Sequence, residues 1–164
     1  MHRAALVALK AAGADSKDAV TALTRALRDP EADVRLAAAE ALGNLGPAAG
    51  SSVSALTDLL KDASNSIRRE AALALWRIDL SADLAVPILI ETLKDEDWDN
   101  FFDTAKALGE IGPPAAAAIP ALNEIMARGN GTSSYDHYRR QYAAEALRRI
   151  KNDADLFFPL KESE

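Results

Sequence analysis

Two histidines, His2 and His137, no cysteine, and 25 carboxylates against 19 lysines and arginines make up the reactive inventory of this 164-residue chain. Without cysteine there is no disulfide, no thiolate metal site and no cysteine nucleophile. Neither histidine stands beside a glutamate, and two imidazoles give too few nitrogen ligands for the metal pair of a metal-dependent oxygenase. A Ser/His/Asp arrangement would need His137 as its base, and no nucleophile signature lies near it. No glycine-rich phosphate loop follows a strand, because no strand-like alternation of β-branched residues occurs. Carboxylates crowd together in Asp95-Glu-Asp-Trp-Asp-Asn-Phe-Phe-Asp103, but at short spacing in a solvated turn they carry no mark of acid–base catalysis. These residue types suit recognition rather than catalysis. The chain reads as non-enzymatic, with no cofactor and no metal.

Composition points the same way. The chain is 49% hydrophobic but only 5% aromatic, and much of the apolar content is alanine, which favours helices packed closely through small side chains. A net charge of −6 argues against a general binder of phosphate backbones. No apolar run approaches the roughly 20 residues that span a bilayer, and the N-terminus lacks a secretory apolar region, so a cytoplasmic location is expected.

The elements that position these residues repeat. A shift of 33 residues lays Val34-Arg35 on Ile67-Arg68, Ala41-Leu42 on Ala74-Leu75 and Ala107-Leu108, and Leu45 on Ile78 and Ile111. Gly46-Pro47 reappears two units on as Gly112-Pro113, and Asp29, Asp62 and Asp95 share a register. A second set, Val20/Leu23/Leu27, Val53/Leu56/Leu60, Val86/Leu89/Leu93 and Ile119/Leu122/Met126, reads i, i+3, i+7 each time, which is one stripe of a helix. The unit is therefore a helix pair. First helices are expected near 16–28, 50–61, 83–94 and 115–128, and second helices near 31–45, 64–78, 97–111 and 137–151. In the template unit Asp29 can cap backbone N–H groups, Pro30 fits the first helical turn, and Gly46-Pro47 ends the helix. Residues 3–12 align with a second helix, so the chain divides into a half-repeat (1–13), repeats at 14–46, 47–79, 80–112 and 113–151, and a C-terminal cap (152–164), all in one domain. A single pair cannot bury both its faces, so stacking makes the core; the leading half-repeat suggests a piece of a larger protein, or self-association through an open end.

Leu-Leu-Lys-Asp (59–62) followed by Ile-Arg-Arg-Glu-Ala-Ala-Leu-Ala-Leu (67–75), with Ala-Leu-Gly-Glu-Ile-Gly-Pro (107–113) and Ala-Ile-Pro-Ala-Leu (118–122), resembles the HEAT repeat. It is most similar to the short HEAT-like variant associated with phycobilisome lyases. The resemblance implies an all-α fold: an α-α superhelix, or right-handed α-solenoid, of about four HEAT-like helical hairpins. It also implies that the matching aspartates and arginines (Asp29, Asp62, Asp95; Arg35, Arg68, Arg140) form a ladder between repeats, the alternative being an anion site built from the arginines. Phe101 stands where the third arginine is expected and Asn100 where Val34 and Ile67 stand, which would leave Asp95 to pair with Arg68. HEAT-like hydroxylases hold metal through repeated His-Glu steps, and this chain has none.

Function is expected where the repeats deviate, since regular positions are committed to stacking. One deviation is the acidic, aromatic turn holding Trp98, Phe101, Phe102 and Asp103, either a docking surface or a helix start whose rings fill the space of the lost arginine. Another is a six-residue insertion, the spacing from Leu108 to Leu147 being 39 rather than 33; it forms a Gly/Ser loop followed by Tyr135, His137 and Tyr138, which would bind a partner or pack as a lid. The third is charge polarity: residues 95–110 hold six acids and one base, whereas 136–151 hold five bases and two acids. Helical spacing places Glu40, Asn44, Glu70, Arg77, Asp103, Lys106, Glu110, Tyr142, Glu145 and Arg149 towards the concave side, a bipolar groove suited to a protein or peptide partner. The tail, with Leu156, Phe157, Phe158 and Leu160, reads as a cap over the last repeat or as a docking motif. A protein-interaction scaffold is the function expected. The alternatives are a bilin-lyase-like chaperone subunit, implied by the repeat subtype, and a nucleic-acid binder using the basic last helix, of which Arg148, Arg149 and Lys151 are a thin version.

Overall fold

The computed structural model describes residues 17–94, 98–127 and 134–152; the leading half-repeat, Asp95–Asp97, the inserted loop at 128–133 and the tail from 153 lie outside them. Every regular element among the described residues is helical, as an all-α solenoid of helix pairs requires. The chain forms two compact units, Met1–Asp95 and Glu96–Glu164.

In the first unit the helices are α1 (Lys17–Ala26), α2 (Ala32–Leu45), α3 (Val53–Leu59), α4 (Asn65–Asp79) and α5 (Ala82–Thr92). The second helices α2 and α4 pack on each other, while α1 lies on α2, α3 on α4, and α5 on α4. The apolar stripes face inward: Val20, Leu23 and Leu27 are buried, as are Val86, Leu89 and Leu93. In α3 the buried face is Ala55, Leu56 and Leu59, with Val53 and Leu60 half-buried beside it. Val34, Ala38 and Leu42 of α2 meet Ile67, Ala71, Leu75 and Ile78 of α4 in the same core. Small residues let the helices approach closely: a Cβ built on Gly43 would lie 3.0 Å from the Ala74 Cα.

Helix boundaries depart from the expected ones where proline and glycine govern them. Pro30 lies in the turn before α2 rather than in its first turn, and the Asp29 carboxylate accepts the Glu31 N–H at 2.9 Å instead of capping deeper in the helix. Gly46-Pro47 stops α2 but leads into a 3-10 helix, Gly46–Ser52, so α3 starts later than residue 50. Gly46 takes φ +57° with ψ −138°, a region open to glycine. The middle repeat has no glycine there. Its helix runs one residue further, and Leu80 adopts the left-handed conformation (φ 58°, ψ 29°) while its N–H donates to the Trp76 carbonyl at 2.8 Å.

The ladder joins the first two full repeats. Arg35 Nε and Nη2 donate to the two Asp62 carboxylate oxygens at 2.8 and 3.2 Å, and Nη1 donates to the carbonyls of Asp29 and Pro30, both at 3.0 Å. Asp62 in turn accepts the Ser64 N–H at 2.9 Å. Arg68 repeats the inward half of this pattern on the carbonyls of Asp62 and Ala63, bonds the Asn65 side chain, and lies 3.6 Å from Glu91. The donors of Arg35 are thus taken by the turns they hold, which supports stacking over an anion site; Asp95 lies outside the described residues.

The second unit contains α6 (Trp98–Ile111), a 3-10 helix (Pro113–Ala118), α7 (Ile119–Ala127) and α8 (Ser134–Lys151). Both α6 and α7 pack on α8. Phe101, in the register of the missing arginine, is completely buried with Ala105, Leu108, Leu122, Ala143, Ala146 and Ile150. The Arg139 guanidinium stands 5.0 Å from the Phe101 ring centroid, a cation–π contact. The ring therefore fills space, as one of the two readings of that turn holds. α8 starts at Ser134, three residues earlier than expected, so Tyr135 joins His137 and Tyr138 in its first turns.

Candidate functional site: a groove between two helices

α6 presents Phe102, Ala105, Lys106 and Gly109, and α8 presents Tyr142, Glu145, Ala146 and Arg149, around a groove of about 250 Å³. Each set is spaced i, i+3, i+4, i+7, so each is one face of its helix. The second unit builds this groove from its own residues.

Small residues make the groove possible. Ala105, Gly109 and Ala146 are buried and carry almost no side chain into the gap. Gly109 has a helical backbone, so conformation does not require glycine there; a Cβ on it would meet the Arg149 Cδ at 3.2 Å and the Ala146 Cα at 3.5 Å. At one end Phe102 and Tyr142 pack edge to face, with ring centroids 4.5 Å apart and planes at 83°. Such a pair contributes about 0.5–1.5 kcal/mol beyond its buried area, and holds a fixed aromatic wall.

Charge lies at the rim. Glu145 Oε1 accepts Arg148 Nη2 and Arg149 Nε, each at 2.7 Å, and Oε2 accepts Arg148 Nε at 3.0 Å. The bond from Arg148, followed by that from Arg149 and the two positive charges, outweighs burial and lowers the Glu145 carboxyl to about 2. Two of the five bases on the basic helix are therefore bound along the helix itself. Lys106 and Arg149 are exposed at the groove.

The structure brings together Phe102, Lys106, Tyr142, Glu145 and Arg149 of the expected site. Asp103 and Glu110 lie on α6 but are not among the residues lining the groove. Tyr138 is exposed and packs edge to face on His137 at 5.8 Å, also away from the lining. Arg77 belongs to the first unit, where it lies 3.7 Å from Glu70 on the same helix. Trp98 begins α6 and Tyr135 falls in the first turn of α8, and their side chains lie outside what is described. Sequence reasoning missed Ala105, Gly109 and Ala146, which matter by being small. The signal was available: Gly109 holds the register of Gly43, 66 residues earlier, and both stand where a neighbouring helix comes close.

Helix pairs on a 33-residue register, tied by Arg–Asp contacts, agree with a sequence comparison in which the family model for HEAT repeats matches residues 2–77 and 53–148. The chain belongs to the HEAT-repeat family. HEAT repeats typically act as non-catalytic scaffolds that mediate protein interactions. Among solved structures, this HEAT-repeat chain is similar to an engineered protein determined by the Northeast Structural Genomics Consortium, with 25% identity and a TM-score of 0.57. The match covers 82% of this chain and 63% of that one, so it spans less than two thirds of the engineered protein's length. No curated protein matches the HEAT-repeat chain. Among the described residues, no helix is long and apolar enough to cross a membrane, and no three His, Cys, Asp or Glu side chains gather as a metal site would require.

Proposed function

We propose that the chain is a non-catalytic protein-interaction module and that a segment of a partner protein docks in the α6–α8 groove. The observation that carries this reading is the groove's construction: a floor of Ala105, Gly109 and Ala146, a wall of Phe102 and Tyr142, and a charged rim of Lys106, Glu145 and Arg149. Apolar pockets rimmed by charge are the usual setting for the few anchors that dominate an interface. At about 250 Å³ the space lies below the roughly 300–1,000 Å³ of small-molecule and cofactor sites, which favours one or two peptide side chains over a tetrapyrrole. The Arg148 and Arg149 bonds to Glu145 reduce the positive charge a phosphate backbone would meet, so the basic helix is read as part of the groove rather than as a nucleic-acid surface.

Selection of a displayed peptide library on the wild-type chain, with counter-selection on Tyr142→Ala, tests this. Peptides should be recovered whose affinity falls at least about tenfold on Tyr142→Ala, the loss of an aromatic hot-spot contact. Recovery only of peptides indifferent to Tyr142 would remove the groove as the docking site.

A further inference from the structure

We infer that the segment received by the α6–α8 groove pairs an apolar or aromatic anchor with a carboxylate, so that the docked stretch is acidic rather than basic. The inference rests on the docking reading above. Glu145 is the only carboxylate among the residues lining the groove, and both its oxygens are engaged by the three donors of Arg148 and Arg149. A lysine or arginine entering the groove would have to displace charge-assisted bonds of 2.7 Å to reach it. The groups left to an incoming segment are cationic. Arg149 bonds Glu145 through Nε alone among the described residues, which leaves its two terminal nitrogens as donors. Lys106, exposed on the opposite helix, has no hydrogen bond or ion pair among the described residues.

The acids nearest in sequence do not reverse this balance at the groove. Asp103 and Glu110 flank Lys106 along α6, but neither lines the groove. A carboxylate between Lys106 and Arg149 meets two cations, while the carbon atoms beside it bury against Phe102, Tyr142 and the small-residue floor. The space suits one or two side chains, so the recognised unit is short: an anchor with an acidic neighbour.

The test uses three fluorescein-labelled octapeptides with the same Leu-Phe anchor, flanked by aspartate, asparagine or lysine, and anisotropy titrations against the wild-type chain. The aspartate peptide should bind about tenfold tighter than the lysine peptide at low salt, with the gap closing as salt screens the rim. Lys106→Ala should weaken the aspartate peptide about fivefold more than it weakens the asparagine peptide, the size of one exposed charge pair. Equal or tighter binding of the lysine peptide, or an equal effect of Lys106→Ala on the aspartate and asparagine peptides, overturns the inference. If the lysine peptide prevails and still depends on Tyr142, docking stands and only the sign of the partner falls. If binding of all three ignores Tyr142→Ala, the docking reading falls with it.

Discussion

Arg35→Ala removes four hydrogen bonds at one point of the stack: two to the Asp62 carboxylate, at 2.8 and 3.2 Å, and two to the carbonyls of Asp29 and Pro30. Asp62 is then left with the Ser64 N–H and the more distant charge of Arg68. Breaking a fully buried pair costs about 3–5 kcal/mol. The Asp62 side chain is 8% exposed but that of Arg35 is 19% exposed, so water recovers part of the loss and the expected cost is about 2–3 kcal/mol. Arg28 and Asp58 form an internal control: they lie 3.9 Å apart with both side chains 75% exposed, and Arg28→Ala should change stability by less than about 0.5 kcal/mol. Urea unfolding followed by circular dichroism reads both, and a cycle with Asp62→Ala should return a coupling of about 1–2 kcal/mol. The pH dependence has a defined sign. Burial pushes the Asp62 carboxyl up, but the Arg35 bond, the Ser64 N–H and the charges of Arg35 and Arg68 together hold it below its ordinary value. The unfolded chain therefore takes up the proton first, and the contribution is complete above about pH 4 and lost as pH falls further. The difference between wild type and Arg35→Ala should shrink over that acid range. Equal costs for Arg35→Ala and Arg28→Ala, or strict additivity in the cycle, would refute the ladder as a source of stability.

Gly43→Ala places a Cβ 3.0 Å from backbone of the neighbouring helix, so despite a helix-propensity gain of about 1 kcal/mol it should destabilise by a net 1–2 kcal/mol or so in thermal unfolding. Gly109→Ala meets a movable arginine side chain first; stability should stay within about 0.5 kcal/mol of wild type while affinity for a groove-bound peptide falls. Leu80→Gly relieves a left-handed leucine that is 67% exposed and buries little, and should raise stability by about 1 kcal/mol in the same assay. Phe101→Ala empties an aromatic position that is completely buried and should cost about 3–5 kcal/mol in urea unfolding.

What could be read from the sequence follows from what repeats. The stripes Val20/Leu23/Leu27 and Val86/Leu89/Leu93 are buried as their spacing implies, because helical period and burial are one constraint. Gly46 and Gly112 both take positive φ at helix ends, where glycine tolerates that conformation and the following proline discourages continuing the helix. Arg35 reaching the next repeat's aspartate was legible through the resemblance to the HEAT repeat, with register supplying the matching positions. The 3-10 segments at Gly46–Ser52 and Pro113–Ala118 were not: alanine and serine after proline carry no signal separating a 3-10 turn from the start of an α-helix. Leu80 was missed because nothing in a leucine announces φ > 0, and only the absence of glycine at 79 hinted at it. The groove was half legible. Helical spacing pointed to Lys106, Tyr142, Glu145 and Arg149, and the aromatic turn to Phe102, but which helix faces oppose one another depends on packing. The choice between Asp103 or Glu110 and the true lining was therefore beyond periodicity. The Arg139 contact on Phe101 likewise depends on how α8 lies across α6.

Amide chemical-shift perturbation of the wild-type chain by a selected peptide tests the groove most directly. Docking there predicts saturable shifts, with a single dissociation constant, concentrated on Ala105, Gly109 and Ala146, the buried floor of the groove. Shifts confined to α1–α5, or a floor that stays silent at saturation, would contradict it.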